Sequence, residues 1–128
     1  MIHLDTNALI ALPIWARDGH PAITRILSGE SAAVCAVVWY EFLIGPVDEQ
    51  EVRLAEAFIR RNVAAVDTTD VVLAAELFNN AGRRRTLKTD ALIAACAIHA
   101  GAEFLTLNVA DFKPFVGHGL QLIQGTRL

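Results

Sequence analysis

The 128-residue sequence predicts a single α/β domain built on a parallel sheet with helices on both faces. Three observations carry this reading. Short apolar runs of strand length alternate with helix-length segments along nearly the whole chain. Hydrophobic residues make up 54% and charged residues 20%, enough to fill a core on either side of a sheet and too apolar for a disordered chain. No repeat, low-complexity tract or linker interrupts the pattern, so residues 1–128 read as one domain.

The elements follow in order. Ile2–Leu4 is short, apolar and bounded, a first strand. Asp5, Thr6 and Asn7 each suit the cap of a short apolar segment, Ala8–Leu12, that Pro13 stops or turns. After the Asp18-Gly19 turn, Pro21 opens a helix to about Ser28. Ala33–Val37 is a second buried strand, and Trp39–Ile44 is one or two helical turns ended by Gly45-Pro46. Asp48–Asn62 is helical, with Val52, Ala55, Phe58 and Ile59 near one side. Val63–Val66 is a third strand. Asp67, Thr68, Thr69 and Asp70 offer caps for a helix through about Asn80, which Gly82 ends. Arg83–Lys88 is basic and exposed. Thr89 or Asp90 opens a helix to about Ala100. Phe104–Leu107 is a fourth strand, Val109–Phe115 a loop or single turn, and Leu120–Ile123 a last strand.

Several classes of function are disfavoured. No apolar stretch reaches the ~18–20 residues that span a bilayer, and the N-terminus lacks a basic start and apolar run, so a cytoplasmic protein without a membrane partner is expected. The two cysteines, Cys35 and Cys96, form no C-x-x-C and read as two buried free thiols. No P-loop, dinucleotide-binding or nucleophile-elbow motif occurs, and His3, His20, His99 and His118 show no metal-binding spacing. The net charge of −3 removes any general attraction to nucleic acid, leaving local basic clusters or a metal to bind phosphate.

Three carboxylates stand in awkward places. Asp5 ends a buried strand, Glu41 interrupts the apolar run Val37–Ile44, and Asp90 starts a helix that is apolar all round. Each has a bland explanation: a helix cap for Asp5, a favourable helix dipole for Asp90, an arginine partner for Glu41. Together, however, they fall at loop or helix ends near the crevice beyond the strand C-termini, where open parallel sheets bind ligands. Two such charges about 4 Å apart repel by about 4 kcal/mol at an effective dielectric of about 20. A stable domain must protonate them, pair them with cations or bind a metal between them. Oxygen ligands without adjacent His or Cys favour Mg²⁺ or Mn²⁺, and phosphoryl transfer is the chemistry such a site serves best.

The pieces Leu4-Asp5-Thr6-Asn7, Tyr40-Glu41-Phe42-Leu43-Ile44-Gly45-Pro46, Thr89-Asp90-Ala91-Leu92-Ile93-Ala94-Ala95 and Leu105-Thr106-Leu107-Asn108-Val109-Ala110-Asp111-Phe112 occur in this order across nearly the whole chain. In these the sequence resembles the PIN-domain ribonucleases, and most closely the VapC-type toxins of toxin–antitoxin pairs. The resemblance implies a PIN-like sheet of order 3-2-1-4-5, a Mg²⁺- or Mn²⁺-dependent endoribonuclease acting on RNA, a homodimer and a cognate VapB-type antitoxin. Carried over residue by residue, Asp5 and Asp90 resemble the direct metal ligands. Glu41 resembles the third acid and Thr6 the hydroxyl that hydrogen-bonds within the site. The chain departs from the family at the fourth acid: Asn108 stands where many members have Asp, and the nearest remaining carboxylate is Asp111. An amide brings a carbonyl oxygen but no charge.

Arg83, Arg84, Arg85 and Lys88 precede the Asp90 helix and are candidates to hold an RNA backbone, with a solvated loop as the alternative. Arg60 and Arg61 suit a helix C-terminus. Trp15 and Trp39 read as core or interface rather than base-stacking platforms. Two rival readings remain at this level. A receiver-type phosphoacceptor domain would use Asp67 as acceptor, Asp5 as metal ligand and Lys113 as its lysine. A catalytically inactive PIN-like scaffold would only bind partners.

Overall fold

The structure, a computed structural model, describes residues Met1–Ile123. Five short strands, β1 (Ile2–Leu4), β2 (Ala32–Cys35), β3 (Val63–Ala64), β4 (Glu103–Leu105) and β5 (Gln121–Leu122), form one sheet of order β3-β2-β1-β4-β5. Every pairing is parallel. Among the described residues seven helices flank it: α1 (Thr6–Asp18), α2 (Pro21–Leu27), α3 (Ala36–Ile44), α4 (Glu49–Ile59), α5 (Thr68–Asn80), α6 (Lys88–His99) and α7 (Val109–Phe112). The expected α/β class and strand order are both present.

The three central strands are apolar on both faces because helices cover both sides. Ile2, Leu4, Val34, Cys35, Phe104 and Leu105 are all buried. The apolar excess is nevertheless not all consumed by the core, since Ile10, Tyr40, Leu43, Ile44, Val71 and Val72 stay exposed. Among the described residues no helix is long and apolar enough to cross a membrane.

Local capping behaves as the residue types dictate. Asp48 accepts from the Glu51 N–H and Glu51 returns the bond, a reciprocal box at the start of α4. Asp67 and Asp70 do the same for α5. At the strand N-termini, away from Asp5, Arg25 bridges Glu30 (2.7 Å) and Glu103 (2.6 Å).

Strands β2, β3 and β4 end at Cys35, Ala64 and Leu105, earlier than expected, and four further departures from the sequence reading have a physical reason. Pro13 does not stop α1, which runs on to Asp18. A proline inside a helix costs ~3 kcal/mol, but continuation buries Trp15 to 1% exposure beside Leu12. The Arg83–Lys88 segment is not wholly a loop. A 3₁₀ turn at Arg85–Leu87 drops Leu87 into the core, and α6 starts at Lys88, ahead of Thr89. α3 begins at Ala36, earlier than Trp39, because Cys35 ends the strand and caps the helix without a linker. The segment past β4 forms α7 and then a 3₁₀ stretch, Lys113–His118, anchored by buried Phe112 and Phe115. Trp15 is core, and half-buried Trp39 stacks on Phe42 at 5.5 Å.

Candidate functional site

β1 pairs with β4 so that Leu4 lies beside Leu105. The next residues, Asp5 and Thr106, therefore leave the sheet side by side at its C-terminal edge. Asp5 is the N-cap of α1: its Oδ1 accepts the Thr6 N–H at 2.9 Å. The capping explanation of Asp5 is thus correct as far as it goes. Its second oxygen does other work, accepting the Thr106 hydroxyl at 2.7 Å. Thr106 is 1% exposed and itself accepts the Asn108 N–H at 3.0 Å.

Glu41 reaches the same place from α3. Its partner is the Thr6 hydroxyl, which donates to Oε1 at 2.7 Å, and not an arginine. Asn7 fixes the loop after β4 by accepting the Leu107 N–H at 3.0 Å. Asp90 lies in the first turn of α6, where the helix dipole favours negative charge. Asp5, Thr6, Asn7, Ile10, Glu41, Asp90 and Asn108 line one open cleft of about 320 Å³.

The electrostatics show how closely these acids share the cleft. Asp90 titrates at about 6, raised first by burial and then by the charges of Asp5, Asp111 and Glu41. Asp5 is raised chiefly by burial, with Glu41 and Asp111 adding repulsion and the bonds from Thr106 and Thr6 opposing it. The four acids come from chain positions as far apart as 5 and 111, so only the tertiary fold unites them. Asn108 and Asp111 divide the fourth corner between them. Asn108 lines the cleft, while Asp111, in the first turn of α7, contributes charge from beside it. Among the described residues no three His, Cys, Asp or Glu side chains converge into a ready-made metal cage.

The basic segment lies at the start of α6, close in sequence to Asp90 but outside the cleft lining. Arg83, Arg84, Arg85 and Lys88 are exposed. Arg83 folds back onto the Asn79 side chain and over the Phe78 ring. Arg60 and Arg61 lie past the end of α4, away from the cleft, as their helix-end reading expects. His3 is buried and pushed down to about 4 by its burial and then by the N-terminal amino group, and it does not line the cleft.

Sequence reasoning did not single out Thr106, Asn7 or Ile10 as site residues. Thr106 left one signal, a polar residue ending an apolar strand. Its meaning depends on the β1–β4 register, which no local pattern contains.

Comparison with known proteins gives a consistent result. Comparison with curated proteins returned no match. Among solved structures the fold is similar to DNA-bound VapBC from Salmonella typhimurium (20% identity, 95% of this chain and 96% of that chain covered, TM-score 0.70). It is also similar to a toxin–antitoxin complex from Klebsiella pneumoniae (18% identity, 100% of each chain, TM-score 0.69). VapBC2 from Rickettsia felis, bound to a DNA fragment from its promoter, is similar at 23% identity, with 96% of this chain and 98% of that chain covered and a TM-score of 0.66. The sequence itself matches the PIN domain over residues 2–113. With the parallel sheet order and the acid-lined C-terminal cleft, that match places this chain in the PIN domain family.

Proposed function

We propose that this protein is a Mg²⁺- or Mn²⁺-dependent endoribonuclease, the toxin of a toxin–antitoxin pair. The observation that carries the reading is the convergence of Asp5, Glu41 and Asp90 on one cleft with Asp111 beside it, Asp90 being raised to about 6 by burial and then by the charges of the other three. The donor set fits a hard divalent cation: all donors are oxygens, and an added cation would reverse the repulsion that now disfavours ionisation. Asp5 and Asp90 would hold the ion. Such an ion supplies Lewis acidity toward a phosphate oxygen and neutralises charge in phosphodiester hydrolysis.

The chain's own residues do the rest. Thr106 and the Thr6 N–H fix both oxygens of Asp5 from the protein side. Thr6 Oγ1 occupies Glu41 Oε1, leaving Oε2 to orient the attacking water and accept its proton. Asn108 offers an uncharged carbonyl oxygen and Asp111 a longer-range charge. Exposed Arg84, Arg85 and Lys88 hold the RNA backbone beside Asp90 as it enters.

The receiver-type alternative does not fit. Asp67 is committed to capping α5 and does not line the cleft, and doubly wound receiver folds carry the order 2-1-3-4-5. The antitoxin follows from likeness to toxin–antitoxin complexes. An arginine of that partner would answer the acids' repulsion, and the exposed Ile10, Tyr40, Leu43 and Ile44 offer apolar surface to an antitoxin or a second copy. Co-purification with the product of the neighbouring small gene tests the first, and light scattering at micromolar concentration the second.

The deciding experiment compares wild type with Asp5→Asn for cleavage of total RNA with and without Mg²⁺. Cleavage that needs the metal and disappears in the variant is expected. Cleavage in excess chelator, or equal cleavage by Asp5→Asn, would overturn the reading. A wild type that neither cleaves nor melts higher with Mg²⁺ would instead mark an inactive scaffold.

A further inference from the structure

Helix α4 ends on two consecutive left-handed residues, Arg60 (φ 53°) and Arg61 (φ 57°). A Cβ resists that conformation and glycine takes it freely, so glycine is the usual residue past a helix end. The turn itself asks nothing of the two guanidinium groups. Backbone bonds close it, from the N–H groups of Arg60, Arg61 and Asn62 to the carbonyl oxygens of Ala57, Glu56 and Ile59. The helix dipole favours a cation here, but Arg60 alone would meet that need. Arginine at two positions where glycine would relax the chain points to a task for the side chains.

Those side chains share a groove. Arg53, Glu56, Ala57 and Arg60 follow the i, i+3, i+4, i+7 spacing of one helix stripe. With Arg61 they line an open cleft of about 440 Å³, in which the small Ala57 separates longer neighbours. The three arginines are exposed. Among the described residues Arg53 and Arg60 have no ion pair, and Arg61 meets Glu56 at 3.9 Å, beyond hydrogen-bond reach. Three cations thus face one carboxylate, on a chain whose net charge is −3. Asn62 leads into the edge strand β3, and every strand runs parallel. Arg60 and Arg61 therefore lie where the strands begin, at the opposite end of the sheet from Asp5 and Thr106.

We propose that Arg53, Arg60 and Arg61 bind the phosphodiester backbone of single-stranded RNA, anchoring it at a site apart from the cleavage cleft. A guanidinium is always charged, and its planar fork matches two phosphate oxygens at once. Seven residues of helix set Arg53 and Arg60 ~10 Å apart along α4, a span that suits a chain of phosphates better than one free ion. Contacts to the backbone alone carry no sequence preference, so the anchor holds RNA without choosing the cut. The choice of RNA over an acidic peptide rests on the ribonuclease reading; the cationic groove does not.

The test titrates the full chain into fluorescein-labelled single-stranded RNA in excess chelator, with the RNA checked intact on a gel, so that binding is read apart from cleavage. Across a salt series, the triple variant Arg53→Gln, Arg60→Gly, Arg61→Gly should bind more weakly. Its slope of log Kd against log salt should drop by up to ~2. Glu56→Gln removes the groove's carboxylate and should bind more tightly, a gain that misfolding cannot imitate. Arg60→Gly with Arg61→Gly should melt no lower than wild type, because glycine fits both positions. Unchanged affinity and slope in the triple variant, or no binding by wild type, would overturn the proposal. Poly-glutamate competing as well as unlabelled RNA of equal charge would also overturn it, marking a groove for acidic peptides. A chain that binds RNA through these arginines but never cleaves it would support the anchor and sink the ribonuclease reading alone.

Discussion

Replacing Asp90 by Asn should stabilise the metal-free protein at pH 7.5 while abolishing its cleavage of RNA. Asp90 titrates at about 6 in the folded chain, against 3.8 ordinarily. At ~1.36 kcal/mol per pKa unit the ionised carboxylate costs the native state about 3 kcal/mol. Asp90 is only half-buried, and solvent screening brings this to roughly 1–1.5 kcal/mol. The sign follows from the order of ionisation. Below 3.8 both states are protonated and the native state carries no penalty. As pH rises, the unfolded state ionises first, and native stability declines until the folded group has ionised above about 6. Asn escapes this loss. Thermal unfolding in chelator at pH 7.5 should show Asp90→Asn melting about 3–6 °C above wild type. At pH 4.5 the gain should fall to about a third. Adding Mg²⁺ should reverse the ranking, since only wild type gains the ~2.7 kcal/mol expected at a metal concentration ~100-fold above its dissociation constant. A variant that melts lower at pH 7.5 in chelator, or keeps the same gain at both pH values, would refute the shared-charge account of the cleft.

Other consequences can be checked directly. Thr106→Val removes the buried hydroxyl that donates to Asp5 and accepts from the Asn108 N–H. It should cost about 1–3 kcal/mol in urea unfolding and weaken cleavage; unchanged stability would mean that water replaces the hydroxyl. Thr6→Val frees Glu41 but keeps the backbone bond to Asp5. Stability should stay within about 1 kcal/mol while the cleavage rate falls about tenfold or more, so an unaffected rate would remove Glu41 from the reaction. Changing Arg84, Arg85 and Lys88 together to Gln should leave the circular dichroism spectrum intact and weaken RNA binding. The slope of log Kd against log salt should drop by up to ~2 if all three meet phosphates, and an unchanged slope would return them to the role of solvated loop.

The amino-acid order by itself determined what depends on neighbours along the chain. Alternating strand and helix lengths, the Asp48 and Asp67 caps, the Gly45-Pro46 stop and the misplaced acids Asp5, Glu41 and Asp90 all rest on interactions within a few residues. Local preference misled where burial outweighed it. Pro13 lies inside a helix because Trp15 must reach the core, and α6 begins early because buried Leu87 pulls the basic segment into a turn. Only the tertiary structure decided the meetings between distant residues: Thr106 with Asp5, Thr6 with Glu41 and His99 with Asp70. Such meetings depend on strand register and helix packing, which the chain settles collectively when it buries its apolar surface. A residue's own neighbourhood in sequence therefore supplies the chemistry of the site, and the parallel pairing of β1 with β2 and β4 supplies its geometry.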